Sequence, residues 1–262
     1  MKKLFFLFLT IAISQFIFSQ NSINQSVSDS EANGAIEDSL LEIEEEKHNG
    51  HFSGVDFGLT TLLNNSFKAS FPNDQQWNND VLKSFNFNFN FYDRKLIITP
   101  DRLGVTIGLG LNLTKIAFSK DWTLQDSYSK KDSAIFGSVH IDTISFTRNK
   151  LNLAYLQIPV LLEFTPKKNV WISAGVIAGV KLSSNVKQIY ADKKNPNIEF
   201  ERTIKGTFAL NTFKCDVTIR AGFGQYWGRM YGVFASYALI PTFNTTLMAN
   251  VHPLTFGVSY NW

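Results

Sequence analysis

Ser138, His140 and Asp142 come nearest, by residue type and spacing, to a nucleophilic site in this chain. A hydroxyl, an imidazole and a carboxylate supply nucleophile, base and orienter. In an extended segment alternate residues share one face, so the spacing permits contact. The same run also arises readily by chance in a polar loop, and the composition offers an enzyme no further support. No catalytic residue is assigned. His48 and His51 are spaced like two metal ligands, with Glu44 to Glu46 close in sequence. No third ligand has matching spacing, so solvation of a polar segment is the simpler account. No zinc, calcium or P-loop pattern occurs, and no metal or cofactor is expected.

A second set of residues carries charge where charge is costly. Asp56, Glu163, Lys181, Lys214, Asp216 and Arg220 fall on the polar side of segments that otherwise alternate between apolar and small polar residues. Three acids and three bases turned into a narrow interior must pair. Their structural reading is a salt-bridged plug, and their functional reading is a gated or ion-lined pore.

Those segments set the architecture. Ser84–Phe91 reads Ser-Phe-Asn-Phe-Asn-Phe-Asn-Phe, a strict period of two. Leu103, Val105, Ile107, Leu109, Leu111 and Leu113 alternate with Gly, Thr and Asn, and the pattern recurs along the chain. A soluble sheet would show water a face rich in Lys, Glu and Arg. Here the second face is Gly, Ser, Thr and Asn with a few charges of both signs, which suits the packed interior of a small barrel whose apolar face meets lipid. Closure is then obligatory, because an open edge would leave backbone groups unpaired in hydrocarbon. The fold class expected is an all-β, eight-stranded antiparallel up-and-down transmembrane barrel.

Eight strands are expected near residues 51–62, 83–93, 102–118, 151–165, 169–184, 208–224, 229–239 and 252–262. Their connections alternate long and short, as extracellular loops and periplasmic turns do. Asp93-Arg94 and Thr165–Asn169 read as short turns. Tyr92, Tyr155, Trp171, Tyr226, Trp227, Tyr231, Tyr260 and Trp262 fall near strand ends, where aromatic rings favour headgroups; Tyr155 and Trp171 turn inward if the register demands it. Pro159, lacking an N–H, predicts a bulge or an interrupted ladder.

Residues 1–20 read as a signal peptide: Lys2 and Lys3, then an apolar run, then Ser19-Gln20. Residues 21–49 read as an acidic, flexible periplasmic arm, with eight acids and no base from Asp29 to Glu46. Residues 50–262 form the barrel domain. Without the leader lysines, that acidic stretch and Lys47, there remain 22 bases and 14 acids, about +8. The bases are scattered over turns and loops without a recognition motif, so nucleic acid is not expected. Basic loops at an outer surface suit lipopolysaccharide phosphates. The single cysteine, Cys215, cannot form an internal disulfide and reads as an apolar filler. Loops near 119–150 and 185–207 are long and polar. Trp122, Tyr128 and Phe136 beside Lys130 and Lys131 in one, and Lys187, Lys193, Lys194, Arg202 and Lys205 in the other, suit a binding surface as well as plain solvation.

Three segments resemble the PorT-like outer-membrane β-barrel proteins of Bacteroidetes: Gly50–Gly58, Leu153–Phe164 with its Tyr-Leu-x-Ile-Pro core, and Trp171–Gly179. The resemblance covers roughly residues 50–262. It implies an eight-stranded barrel in the outer membrane, handled by the barrel-assembly machinery through its C-terminal strand. For some members it implies a part in type IX secretion. The chain ends in Trp262 where barrels usually end in Phe, with alternation kept at Leu254, Phe256, Val258 and Tyr260. The function expected is a non-enzymatic structural or interaction role in the envelope, meeting lipid, lipopolysaccharide and an envelope protein partner. A small pore and a lipid-modifying enzyme are the alternatives.

Overall fold

The computed structural model describes residues 50–262 apart from 72–76, 101, 119–121, 127–133, 139–143, 168, 193–198, 206–207, 225–229 and 245–249. The signal peptide and acidic arm expected over residues 1–49 lie outside the described residues.

The period-two segments form strands, and eight of them close a ring. In chain order the strands are β1 (Gly54–Leu63), β2 (Phe85–Thr99), β3 (Leu103–Ala117), β4 (Trp122–Asp126), β5 (Ala134–Ser138), β6 (Ile144–Lys167), β7 (Val170–Asp192), β8 (Glu199–Lys205), β9 (Phe213–Gly224), β10 (Met230–Ala238) and β11 (His252–Asn261). The wall runs β1-β2-β3-β6-β7-β9-β10-β11 and back to β1, antiparallel at every step. β8 is a ninth strand of the same sheet, added to β7 beyond the ring, and β4 and β5 pair separately as a hairpin.

The alternation is inverted relative to a soluble barrel. Phe57, Leu59, Phe89, Leu113, Leu162, Ile172, Ile219, Phe223, Val233 and Val258 are exposed on the outside, while Asp56, Asn88, Gln157, Glu163, Thr218 and Arg220 are buried within. Tyr155 and Trp171 point inward and are buried, so neither belongs to an interfacial band.

Several boundaries differ from the expected ones, for identifiable reasons. β2 runs six residues past Asp93 to Thr99, so Asp93-Arg94 lies within a strand and the turn follows Thr99. A bulge at Phe91 makes this continuation: Asn90 pairs with Gly110 and Tyr92 with Leu109, leaving Phe91 as the extra residue. The bulge shifts the phase by one, and Asp93 and Lys95 then face inward. Pro159 makes no bulge. Its ladder with β7 is intact, but pairing of β6 with β3 skips from Val160 to Gln157, as a residue without an N–H requires. The region expected as a second long loop contains β4, β5 and the first residues of β6. The third contains the end of β7 and all of β8. β9 begins at Phe213 rather than 208, because Phe208–Leu210 turns in over the end of the ring.

Residues near both rims fold inward. At the long-loop rim, Phe71, Trp77, Phe118, Phe208, Leu210, Phe243 and Val251 pack with Leu62, Ile116 and Leu151 into one apolar cluster. At the short-turn rim, Gly50–Ser53 enters the barrel, and Phe52 is fully buried against Leu161 and Ile177. β1 and β11 approach closely where the ring closes. Gly54 has φ +148°, and a Cβ there would lie 2.1 Å from the Tyr260 carbonyl oxygen.

Candidate functional site: the charged interior

All six charged residues singled out in the sequence point into the barrel, on three separate levels. The deepest pair joins β1 to β9 across the interior. Arg220 Nη1 donates to Asp56 Oδ2 at 2.9 Å and Nη2 to Asp56 Oδ1 at 2.8 Å. Asn88 and Asn90 of β2 donate to the same Oδ2 at 3.1 and 3.0 Å. Gln157 of β6 donates to Asn90 Oδ1, extending the network to a fourth strand. The guanidinium lies near the rings of Phe52 and Phe234, 5.2 and 5.6 Å from their centroids. At 0 % and 1 % exposure, the two ions are shut off from water and held by a bidentate contact, the strongest geometry such a pair adopts.

Glu163 anchors the level nearest the short-turn rim. It accepts from His51 N–H at 3.0 Å, Lys95 Nζ at 2.6 Å and Thr106 Oγ1 at 3.0 Å, and its Oε1 is 2.6 Å from His51 Nδ1. His51 stacks on Trp171 with centroids 5.5 Å apart. Asp93 Oδ2 accepts the N–H groups of Phe52 and Ser53 at 2.7 and 3.0 Å. The acids of β2 and β6 therefore hold the entering segment by its backbone as well as its side chains.

The third level lies toward the long-loop rim. Lys214 Nζ is 2.9 Å from Asp216 Oδ2, donates to Asn112 Oδ1 and lies over Tyr155 at 5.4 Å. Lys181 donates to the carbonyl of Leu210, which ties the inward-folded turn to the wall. A cavity of about 50 Å³ adjoins Lys214, Asp216, Asn86 and Asn112. Among the described residues, Asp216 Oδ1 and Asn86 Oδ1 have no protein partner. A space of this size has room for a few waters and is far below the roughly 300 Å³ or more of an organic ligand site.

Among the titratable members of this interior, sequence reading missed His51, Asp93 and Lys95. Asn90 and Asp93 stand three apart in an otherwise two-residue rhythm, and that break was the available signal of the bulge. His48, His140 and Asp142 lie outside the described residues, and Ser138 is placed only as part of β5. Among the described residues, no three His, Cys, Asp or Glu side chains are grouped to hold a metal ion. Cys215 is half-buried and unpaired by disulfide.

No protein-family model matches this chain, and no curated protein does. Among solved structures it is similar to Ail, the attachment invasion locus protein of Yersinia pestis. Identity is 8%, coverage is 80% of this chain and 99% of that one, and the TM-score is 0.32. Ail in complex with the heparin analogue sucrose octasulfate gives 9%, 80%, 96% and 0.34. Likeness at this level adds nothing to the architecture read from the strand pairing.

Taken together, the three levels set most of the charge of the interior in ion pairs, while Lys181 and Asp93 bond to backbone groups. Asp56, Glu163 and Asp216 each have a cationic partner, and asparagines and threonines take up much of the remaining hydrogen-bonding capacity. The arrangement cross-links β1, β2, β3, β6 and β9 and fixes the entering segment. Among the described residues it presents no activated nucleophile and no row of unpaired like charges along a path.

Proposed function

We propose that this chain is an outer-membrane β-barrel protein with a structural or interaction role in the cell envelope and no enzymatic activity. The observation that carries the reading is the inverted wall. A closed sheet with large apolar side chains outward on every strand of the ring, and asparagines, threonines and ion pairs inward, suits hydrocarbon as its solvent. Exposed apolar surface that encircles a protein is not tolerated in water. Exposed Tyr92, Tyr231 and Trp262 lie toward the short-turn rim, where a headgroup layer would accommodate them.

The resemblance to PorT-like barrels rests on its three sequence segments, and a part in type IX secretion rests on that resemblance alone. Outer-membrane lipid and lipopolysaccharide are the proposed surroundings. The β11 strand, followed by Trp262, is the proposed recognition element for the barrel-assembly machinery. An envelope protein is the proposed partner at the long-loop side.

The test is migration of the outer-membrane fraction on a detergent gel with and without boiling. A heat-dependent shift in that fraction is expected. Recovery of the protein in the soluble fraction, with no shift, would mean that the apolar face lines a core or ligand cavity instead.

A further inference from the structure

β6 and β7 do not stop where the ring does. β7 last pairs with β9 at Val180 opposite Phe213, yet its ladder with β6 continues to Asp192 opposite Ile144. β8 is added to this extension along Asn185–Ala191. Among the described residues β8 is the terminal strand of the sheet, with one edge on β7 and no strand on the other. Such an edge is a template for another strand unless something prevents it.

β8 reads Glu-Phe-Glu-Arg-Thr-Ile-Lys, and six of its seven residues, Thr203 among them, are exposed. Charges on an edge strand repel an arbitrary partner, but the order of these charges matches itself. Antiparallel pairing of two copies about a two-fold axis at Thr203 sets Glu201 of each against Lys205 of the other. It also sets Thr203 against Thr203 and Arg202 against Ile204. No like charges are opposed, and Thr–Thr and Glu–Lys are favourable cross-strand pairs. Parallel in-register pairing would instead set Glu on Glu, Arg on Arg and Lys on Lys. Within one copy, Lys187 of β7 lies with its Nζ 2.7 Å from Glu201 Oε1 on the same face.

We propose that two copies of this chain associate through antiparallel pairing of their β8 edges. The membrane reading above adds a consequence, which rests on that reading. Copies in one membrane are related by an axis along its normal, and strands rising from the rim then meet parallel or crossed. Copies in facing membranes meet antiparallel. The charge order of β8 therefore selects association between opposed surfaces.

The experiment uses the full chain in a Cys215→Ser background, purified in detergent and checked for its heat-dependent gel shift. Thr203→Cys places two thiols across the two-fold axis at Cα separations that a disulfide spans. Arg202→Cys places them on a diagonal that it does not span. On oxidation, Thr203→Cys is expected to give about tenfold more disulfide-linked dimer than Arg202→Cys. Glu201→Lys and Lys205→Glu should each abolish sedimentation as a dimer, and the double variant should restore it. Vesicles of phosphatidylcholine carrying the protein should clump, with the same pattern of loss and rescue. Folded barrels that stay monomeric, cross-link through Arg202→Cys instead, or lose dimerisation without rescue would overturn the pairing. Dimers in detergent without clumping would overturn the facing arrangement. Absence of the heat shift would defeat the membrane reading, and the facing arrangement with it.

Discussion

Replacing Arg220 by Met tests whether the interior is held by charge or merely tolerates it. In the native protein Asp56 receives two N–H bonds from the guanidinium and one each from Asn88 and Asn90, at 0 % exposure. Arg220→Met would remove the first two and leave a carboxylate in a dry interior with two amide donors. Breaking a buried pair on one side costs about 3–5 kcal/mol. Packing of the thioether between Phe52 and Phe234 returns about 1 kcal/mol of that. A net loss of about 3 kcal/mol lowers the ratio of folded to unfolded protein by about 10²-fold. Adding Asp56→Asn removes the stranded charge and should restore about 2 kcal/mol, because a neutral amide is far cheaper to bury. Urea unfolding in lipid vesicles, followed by the heat-shifted gel band, measures each variant. A single variant within about 1 kcal/mol of the wild type, or a double variant no more stable than the single, would refute the argument.

Gly54→Ala should destabilise by about 2–3 kcal/mol, since φ +148° and a Cβ 2.1 Å from the Tyr260 oxygen both resist it; Val55→Ala is the control in the same urea assay. Asp93→Ala removes the acceptor of two backbone N–H groups and should cost about 1–3 kcal/mol locally. Amide hydrogen exchange should then rise at Phe52 and Ser53 while the strand amides of β10 stay protected. In planar bilayers the wild type should show no conductance steps above the lipid leak. Lys214→Gln and Asp216→Asn should stay equally silent, and steps that change size with either substitution would revive the pore.

The period of two made most of the wall legible, because each face of a strand reports its solvent directly. Phe87 and Phe89 against Asn86 and Asn88 mark outside and inside without any knowledge of partners. It also turned Asp56, Glu163, Lys181, Lys214, Asp216 and Arg220 inward, since each lies an even number of residues from small polar neighbours. What it did not convey was any feature that breaks the period or has none. The Phe91 bulge shifted Asp93 and Lys95 to the inner face, and a strict alternation read through it placed a turn there. His51 and Phe52 precede the first strand, so no rhythm says that they enter the barrel. The Phe71, Trp77, Phe208 and Phe243 cluster comes from separate connections, and only tertiary packing brings them together. β8 was hidden by composition, because Glu, Arg and Lys in a strand look like a solvated loop until β7 is seen to extend beneath it.

The same geometry favours a plug over a pore. A small barrel has room in its interior for its own side chains and little more. Here that room is spent on Asp56–Arg220, on the Glu163 cluster around His51 and Lys95, and on Phe52. The far rim is filled by the aromatic cluster. An ion crossing this interior would have to displace Phe52 beside Arg220 and part a bidentate pair, and the second step alone costs about 3–5 kcal/mol. A site for conduction needs binding weak enough to release, whereas these contacts are redundant and mutually supporting. The contacts of the interior tie the wall strands to one another and to the entering segment. The proposed capacity for interaction lies with what extends past the ring: the β6–β7 ladder and the outer edge of β8.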